Sequence, residues 1–183
     1  MCGHGVRIGP PWHAGAVRGH VLVGGWPGSG KTTLSRALAV ELGVPCLAKD
    51  EVKEALMDAF GAPRDVEASR ALGRAAVHAV MAVAAQCPGA VVDSTWFPYA
   101  LPLAEALPGP VVEVRCVVPV AVARERYRTR VRDPRHLDGL RDEEELWGAE
   151  VAPLGLGPLL EVDTSGTVDV PALAATVRVV LGG

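Results

Sequence analysis

The chain has 183 residues, 49% of them hydrophobic, which is enough for one ordinary domain with a real core. Lys and Arg number 18 against 21 Asp and Glu, so the net charge of −3 offers no global attraction to nucleic acid. No apolar run is long and charge-free enough to span a bilayer, and the Gly-, Pro- and His-rich start lacks the basic-then-apolar order of a signal peptide.

Residues 1–18 are expected to be a flexible leader, and residues 19–183 a single domain. Cys2, Cys46, Cys87 and Cys116 show no C-x-x-C spacing, and Cys46 and Cys116 lie in apolar segments. A reduced, cytoplasmic setting is the expectation. Cys2, His4 and His13 are loose ligands in a leader and do not make a convincing zinc site.

The first element, Val21-Leu22-Val23, is short, apolar and β-branched, as a strand buried on both faces should be. It runs into Gly25-Trp26-Pro27-Gly28-Ser29-Gly30-Lys31-Thr32, which fits the phosphate-binding pattern G-x-x-x-x-G-K-[ST]. Leu34, Leu38 and Leu42 follow at helical spacing until Gly43 and Pro45 stop them. In this strand–loop–helix setting the backbone N–H groups wrap an anion and the helix N-terminus adds a favourable dipole. Lys31 is then expected to reach the β- and γ-phosphates of ATP and the Thr32 hydroxyl to ligate Mg²⁺.

Pro45-Cys46-Leu47-Ala48 reads as a second strand ending at Lys49-Asp50-Glu51, with a helix through Val52, Leu56 and Ala59. An Ala-rich helix over about 66–86 comes next, then a strand, Ala90-Val91-Val92, that empties onto Asp93-Ser94-Thr95-Trp96. A short helix near 103–107 leads to a fourth strand over 111–118, whose Glu113 and Arg115 suggest a place nearer a sheet edge or mouth than the centre. A helix from Pro119 to about Val131, a polar loop over 132–140 and a helix over 142–151 precede a fifth strand, Leu159-Leu160-Glu161-Val162, and a closing helix over 170–181. Such β-α alternation predicts an α/β fold, a five-stranded parallel sheet with helices on both faces in three layers, α/β/α.

In such a sheet, ligands lie outside the carboxyl ends of the strands, so the polar residues there converge. Asp93 suits a carboxylate that holds Mg²⁺ or its water beside Thr32. Asp50 is placed to accept the proton of an attacking hydroxyl, although an acid before a helix also serves as a cap. Between 124 and 140 the chain carries Arg124, Arg126, Arg128, Arg130, Arg132, Arg135 and His136. This is either an arginine lid over the β- and γ-phosphates or a solvated helix paired with Glu125 and the acidic run 142–145. Trp26, Trp96 and Trp147 form an aromatic wall for an acceptor, or fill gaps around the sheet.

These segments, PGSGKTT, KDEVKEAL, VVDSTW, RERYRTR and VDTSGTVDV, resemble the kinase-type P-loop proteins of the AAA_33 family, which includes relatives of the polynucleotide 5′-kinase, chloramphenicol phosphotransferase and zeta toxin groups. The resemblance implies a P-loop NTPase fold like that of nucleoside kinases, with Asp50 as general base, Lys53 as an acceptor contact and Arg126 and Arg130 as lid residues. It places Asp163 and Thr164 by the adenine, joining Gly25, Pro27, Gly28, Ser29, Gly30, Lys31, Thr32 and Thr33 in the nucleotide site. Many relatives read D-A-T-N where this chain has Asp93-Ser94-Thr95-Trp96. The function expected is transfer of the γ-phosphoryl group of ATP to a hydroxyl of a small metabolite or antibiotic. A polynucleotide 5′-hydroxyl kinase, which the acidic balance disfavours, and a regulatory ATPase that phosphorylates nothing are the alternatives.

Overall fold

A computed structural model describes residues 17–131, 133–141, 143–147 and 151–182. Most of the expected leader, with Cys2, His4 and His13, lies outside the described residues, as does Arg132. The elements are β1 (Gly19–Gly25), α1 (Lys31–Leu42), β2 (Cys46–Ala48), α2 (Lys49–Phe60), α3 (Val66–Ala84), β3 (Gly89–Asp93), α4 (Leu101–Glu105), β4 (Val111–Val117), α5 (Val120–Thr129), α6 (Glu143–Trp147), β5 (Leu159–Asp163) and α7 (Val170–Val180).

The five strands form one sheet in the order β2-β3-β1-β4-β5, every neighbouring pair parallel. All seven residues of β1 are buried, because it has strands on both edges and helices on both faces. Side chains alternate across a strand. Val21 and Val23 therefore point to one face, packing with Leu34, Leu38 and Leu42 of α1 and Ala174 and Val177 of α7. Leu22 points to the other, against Val77, Val80 and Met81 of α3 and Ala104 of α4. The three-layer expectation holds. Among the described residues no helix is long and apolar enough to cross a membrane.

Local chemistry explains the helix ends. Gly30 and Gly43, both left-handed, bracket α1, and the Asp65 carboxylate accepts from the Ala68 N–H at the start of α3. The arginine helix is shorter than its sequence suggests: Arg130 turns extended after Thr129. Two single 3-10 turns, Pro134–His136 and Asp138–Leu140, occupy the polar loop.

The fourth strand corrects an expectation. It lies inside the sheet between β1 and β5, and its two charges are matched there. Arg115 pairs across the strand with Glu161, 3.3 Å away. Glu113 is 3% exposed, and its carboxylate accepts the N–H groups of Leu154, Gly155 and Leu156 at 2.6, 2.8 and 2.8 Å. A buried carboxylate with three charge-assisted bonds is well satisfied. Removing it strands three amides, so Glu113→Ala is expected to cost about 3 kcal/mol or more. The urea midpoint checks this, with Glu113→Gln falling between the variant and the parent.

Candidate active site

The carboxyl ends of β1, β2 and β3 and the N-termini of α1 and α2 meet in one cleft of about 290 Å³. Its floor is the loop after β1. Gly25 (φ 137°) is the tight exit from the strand, and a Cβ there would lie 2.7 Å from the Cys116 carbonyl oxygen. Gly28 (φ 76°) lets the loop touch α5, because a Cβ would fall 2.3 Å from the Ala123 oxygen. That overlap is expected to cost Gly28→Ala about 1–3 kcal/mol, read from a urea midpoint, and calorimetry with a nonhydrolysable ATP analogue is expected to show weaker binding.

Lys31 sits at the cleft wall with Nζ donating to the Trp26 carbonyl at 3.0 Å. Burial pulls its pKa below the usual lysine value, and the negative charges of Asp93 and Asp50 act against that pull. The Thr32 hydroxyl donates to Asp93 Oδ2 at 2.6 Å. Asp93 is 5% exposed; burial raises its pKa, opposed by Lys31 and by the Thr32 hydrogen bond. Two hard oxygen ligands beside a phosphate-binding loop suit Mg²⁺, which takes one or two protein oxygens and completes its shell with water and phosphate.

Asp50 lies in the first turn of α2, where its carboxylate accepts from Lys49 Nζ at 2.7 Å. The cap position belongs to Ala48, with no side-chain cap bond, so the capping role does not describe Asp50. Beyond Asp50 opens a second, larger cavity of about 760 Å³. Lys31, Lys49, Asp50, Thr95 and Arg130 line both spaces.

The arginines divide. Arg126 and Arg130 face the cleft. Arg126 also donates to the carbonyl oxygens of Thr164 and Ser165, both at 2.9 Å, and Arg130 lies over the Tyr127 ring at 4.2 Å. Arg128 instead pairs with Glu125 in solvent, the solvated reading. Arg124 pairs with Glu143, and Arg135 with Asp58. His136 is buried and bonded to Glu54 at 2.8 Å, which ties the loop after α5 to α2.

Other expected residues settle differently. Thr164 is buried, its hydroxyl donating to the Ser29 carbonyl at 2.6 Å, so it braces the loop from below. Asp163 accepts from the Ser165 N–H, and its pKa is lowered by the Ser165 side chain and by that N–H. Neither lines the cleft, whereas Thr33 does and Pro27 borders the larger cavity. The three tryptophans do not form one wall. Trp26 meets Trp147 edge-on at 6.0 Å, and Tyr127 meets Trp147 at 5.8 Å, clasping α6 to α5 and the loop. Trp96 is 4% exposed, donates Nε1 to the Val23 carbonyl at 3.0 Å and covers Gly24, so it borders the larger cavity as part of the core. Lys53 lines that cavity too, buried, with Nζ donating to Ser69 Oγ at 2.7 Å. Sequence reasoning passed over Lys49, Arg70, Arg74, Phe97, Tyr99 and Arg141, which also line it.

A glycine-rich loop with its lysine and threonine, an aspartate after β3 and an all-parallel sheet define a P-loop nucleotide-binding fold of the kinase type. The AAA_33 family, described as an AAA domain, matches residues 21–144, and the chain belongs to that family. A candidate kinase from Chloroflexus aurantiacus J-10-fl is 32% identical, covering 90% of this chain and 99% of its own with a TM-score of 0.77. A gluconokinase from Sinorhizobium meliloti 1021 has the same fold at 22% identity, covering 89% and 95%, with a TM-score of 0.60. So does the APS kinase CysC of Mycobacterium tuberculosis, solved with AMPPNP and APS, at 19% identity, 92% and 99% coverage and a TM-score of 0.59. No curated protein sequence matches the chain.

Proposed function

We propose that the chain is an ATP-dependent kinase that phosphorylates a hydroxyl of a small molecule. The observation that carries this reading is the position of Asp50, whose carboxylate stands where the phosphate cleft opens into the larger cavity. A nucleotide switch needs the first space only; a kinase needs both, with a base between them.

In this reading the loop amides and Lys31 hold the β- and γ-phosphates, and Thr32 and Asp93 would hold Mg²⁺, which supplies charge neutralisation on the phosphates. Lys31 is half-buried, and the same desolvation that lowers its pKa makes its attraction for phosphate less screened than in open water. The acceptor hydroxyl enters from the larger cavity. Its oxygen bonds to the γ-phosphorus, its proton passes to Asp50, and the bond from that phosphorus to the β–γ bridging oxygen breaks to release ADP. Lys49 fixes the Asp50 carboxylate toward the junction. Arg126 and Arg130 face the cleft from α5 and its end, where they add positive charge to the transferring group. The family and the 32% identical candidate kinase support the reading.

The test is a screen of purified protein with Mg²⁺ and γ-labelled ATP against nucleosides, aminoglycosides, phenicols, sugars, hydroxy acids and 5′-hydroxyl oligonucleotides. Label in one acceptor class establishes a kinase. Label recovered only as free phosphate under every condition overturns the reading in favour of an ATPase.

A further inference from the structure

Among the described residues, Lys31, Lys49 and Arg130 are the cations that border both the phosphate cleft and the larger cavity. Lys31 belongs to the loop, with its Nζ on the Trp26 carbonyl, and Arg130 comes from the end of α5. Lys49 is set apart by its bond to the candidate base: its Nζ donates to Asp50 Oδ1 at 2.7 Å. Lys53, one turn further along α2, is buried with its Nζ on Ser69 Oγ and borders the larger cavity but not the cleft.

Lys49 opens α2, and its side chain is 22% exposed. The stem runs beside Gly73 of α3, a buried residue whose Cβ would stand 3.8 Å from Lys49 Cε and 3.9 Å from Nζ. That packing keeps the ammonium group at the junction of the two spaces. Its charge is felt at Asp93 as well as at Asp50: burial raises the Asp93 pKa, and Lys49 is among the groups that oppose the rise. An ammonium group has three donors, and the bond to Asp50 uses one of them.

Phosphoryl transfer changes what surrounds that group. Before the step its partner is the Asp50 carboxylate. In the step the acceptor oxygen bonds to the γ-phosphorus, the bond from that phosphorus to the β–γ bridging oxygen breaks, and the hydroxyl proton goes to Asp50. A protonated Asp50 no longer offers Lys49 a negative charge, while the phosphoryl group is crossing the junction that Lys49 borders. An interaction that strengthens as the barrier is crossed speeds the reaction, whereas one equal in both states does not. Resting on the kinase reading, we infer that Lys49 is a catalytic residue that passes from the base to the transferring phosphoryl group. Lys49 keeps its own protons throughout; it supplies charge, and Asp50 takes the proton.

The experiment is a double-mutant cycle on Lys49 and Asp50, read at saturating ATP with the acceptor that takes label from γ-labelled ATP in the screen above. Lys49→Met keeps an apolar stem against α3 and removes the charge. It is expected to lower kcat about 10²-fold and to leave the Kd for the nonhydrolysable analogue AMPPNP with Mg²⁺, measured by calorimetry, within about threefold. Lys49→Arg is expected to recover part of kcat. In an Asp50→Ala background, Lys49→Met is expected to lower kcat by a further factor of about ten or more. A double variant no slower than Asp50→Ala overturns the assignment, because Lys49 then acts only by positioning the base. An AMPPNP affinity that falls as far as kcat overturns it too, because the contact is then made equally before transfer. Both outcomes leave the kinase reading standing. Label found only as free phosphate removes the kinase reading and this inference together.

Discussion

Lys31→Ala is expected to reduce phosphoryl transfer about 10³-fold or more, to background in an ordinary assay. The magnitude follows from where the ammonium group sits. It is half-buried, with Asp93 and Asp50 the nearest negative influences, in a site whose other cations are Lys49, Arg126 and Arg130. A charge in such surroundings acts on the γ-phosphate through a low effective dielectric, and water entering in its place does not reproduce it. Circular dichroism and a urea midpoint close to the parent's would show that the fold survives. Transfer at more than about a tenth of the parental rate would remove Lys31 from the mechanism.

Asp50→Ala is expected to separate binding from chemistry. In the proposed reading ATP is held on the other side of the junction, by the loop and through Thr32 and Asp93, so its Kd by calorimetry is expected to stay within about threefold, since Asp50 offers ATP no donor. Turnover is expected to fall about 10²- to 10⁴-fold, the usual worth of a positioned base. The variant also frees Lys49, whose ammonium is bonded to the Asp50 carboxylate. A modest gain in affinity for ATP is consistent with that, because Lys49 lines the phosphate cleft as well. Full turnover in Asp50→Ala would falsify its role as base.

Much of this site was legible before any coordinates. The P-loop declares itself because three glycines, a lysine and a threonine are local in sequence, and local geometry decides what they do. Asp93 and Asp50 were legible for a related reason: each ends or follows a short apolar strand, and parallel strands bring such residues to one edge. The misread parts depend on partners far along the chain. Glu113 and Arg115 looked like edge charges because nothing in 111–118 reveals that the amides of 154–156 will surround the first and Glu161 face the second. Nothing near Thr164 in sequence reveals that its hydroxyl is used on the Ser29 carbonyl, 135 residues away. Trp96 borders the larger cavity as the sequence reading allowed, but nothing local shows that its indole N–H is used on β1. Arg70 and Arg74 drew no attention because a charged pair one turn apart on a helix usually meets only water; here both border the larger cavity.

The amide cage around Glu113 bears on how the two halves of the site move. Leu154, which ends the 151–154 stretch walling the larger cavity, is pinned together with Gly155 and Leu156 to an interior strand by three charge-assisted bonds, whereas the far end of the loop after α5 is held partly by exposed or half-exposed ion pairs such as Arg135 with Asp58. Amide hydrogens bonded to a buried carboxylate exchange with solvent only when the surrounding core opens, so those of Leu154, Gly155 and Leu156 belong with the slowest class in the molecule, near the global unfolding limit. Amides along 133–141 belong with a faster class. In the proposed reading, the wall that would meet the acceptor is thereby expected to move little, and the adjustment that admits substrate and releases product is expected to fall to the arginine side.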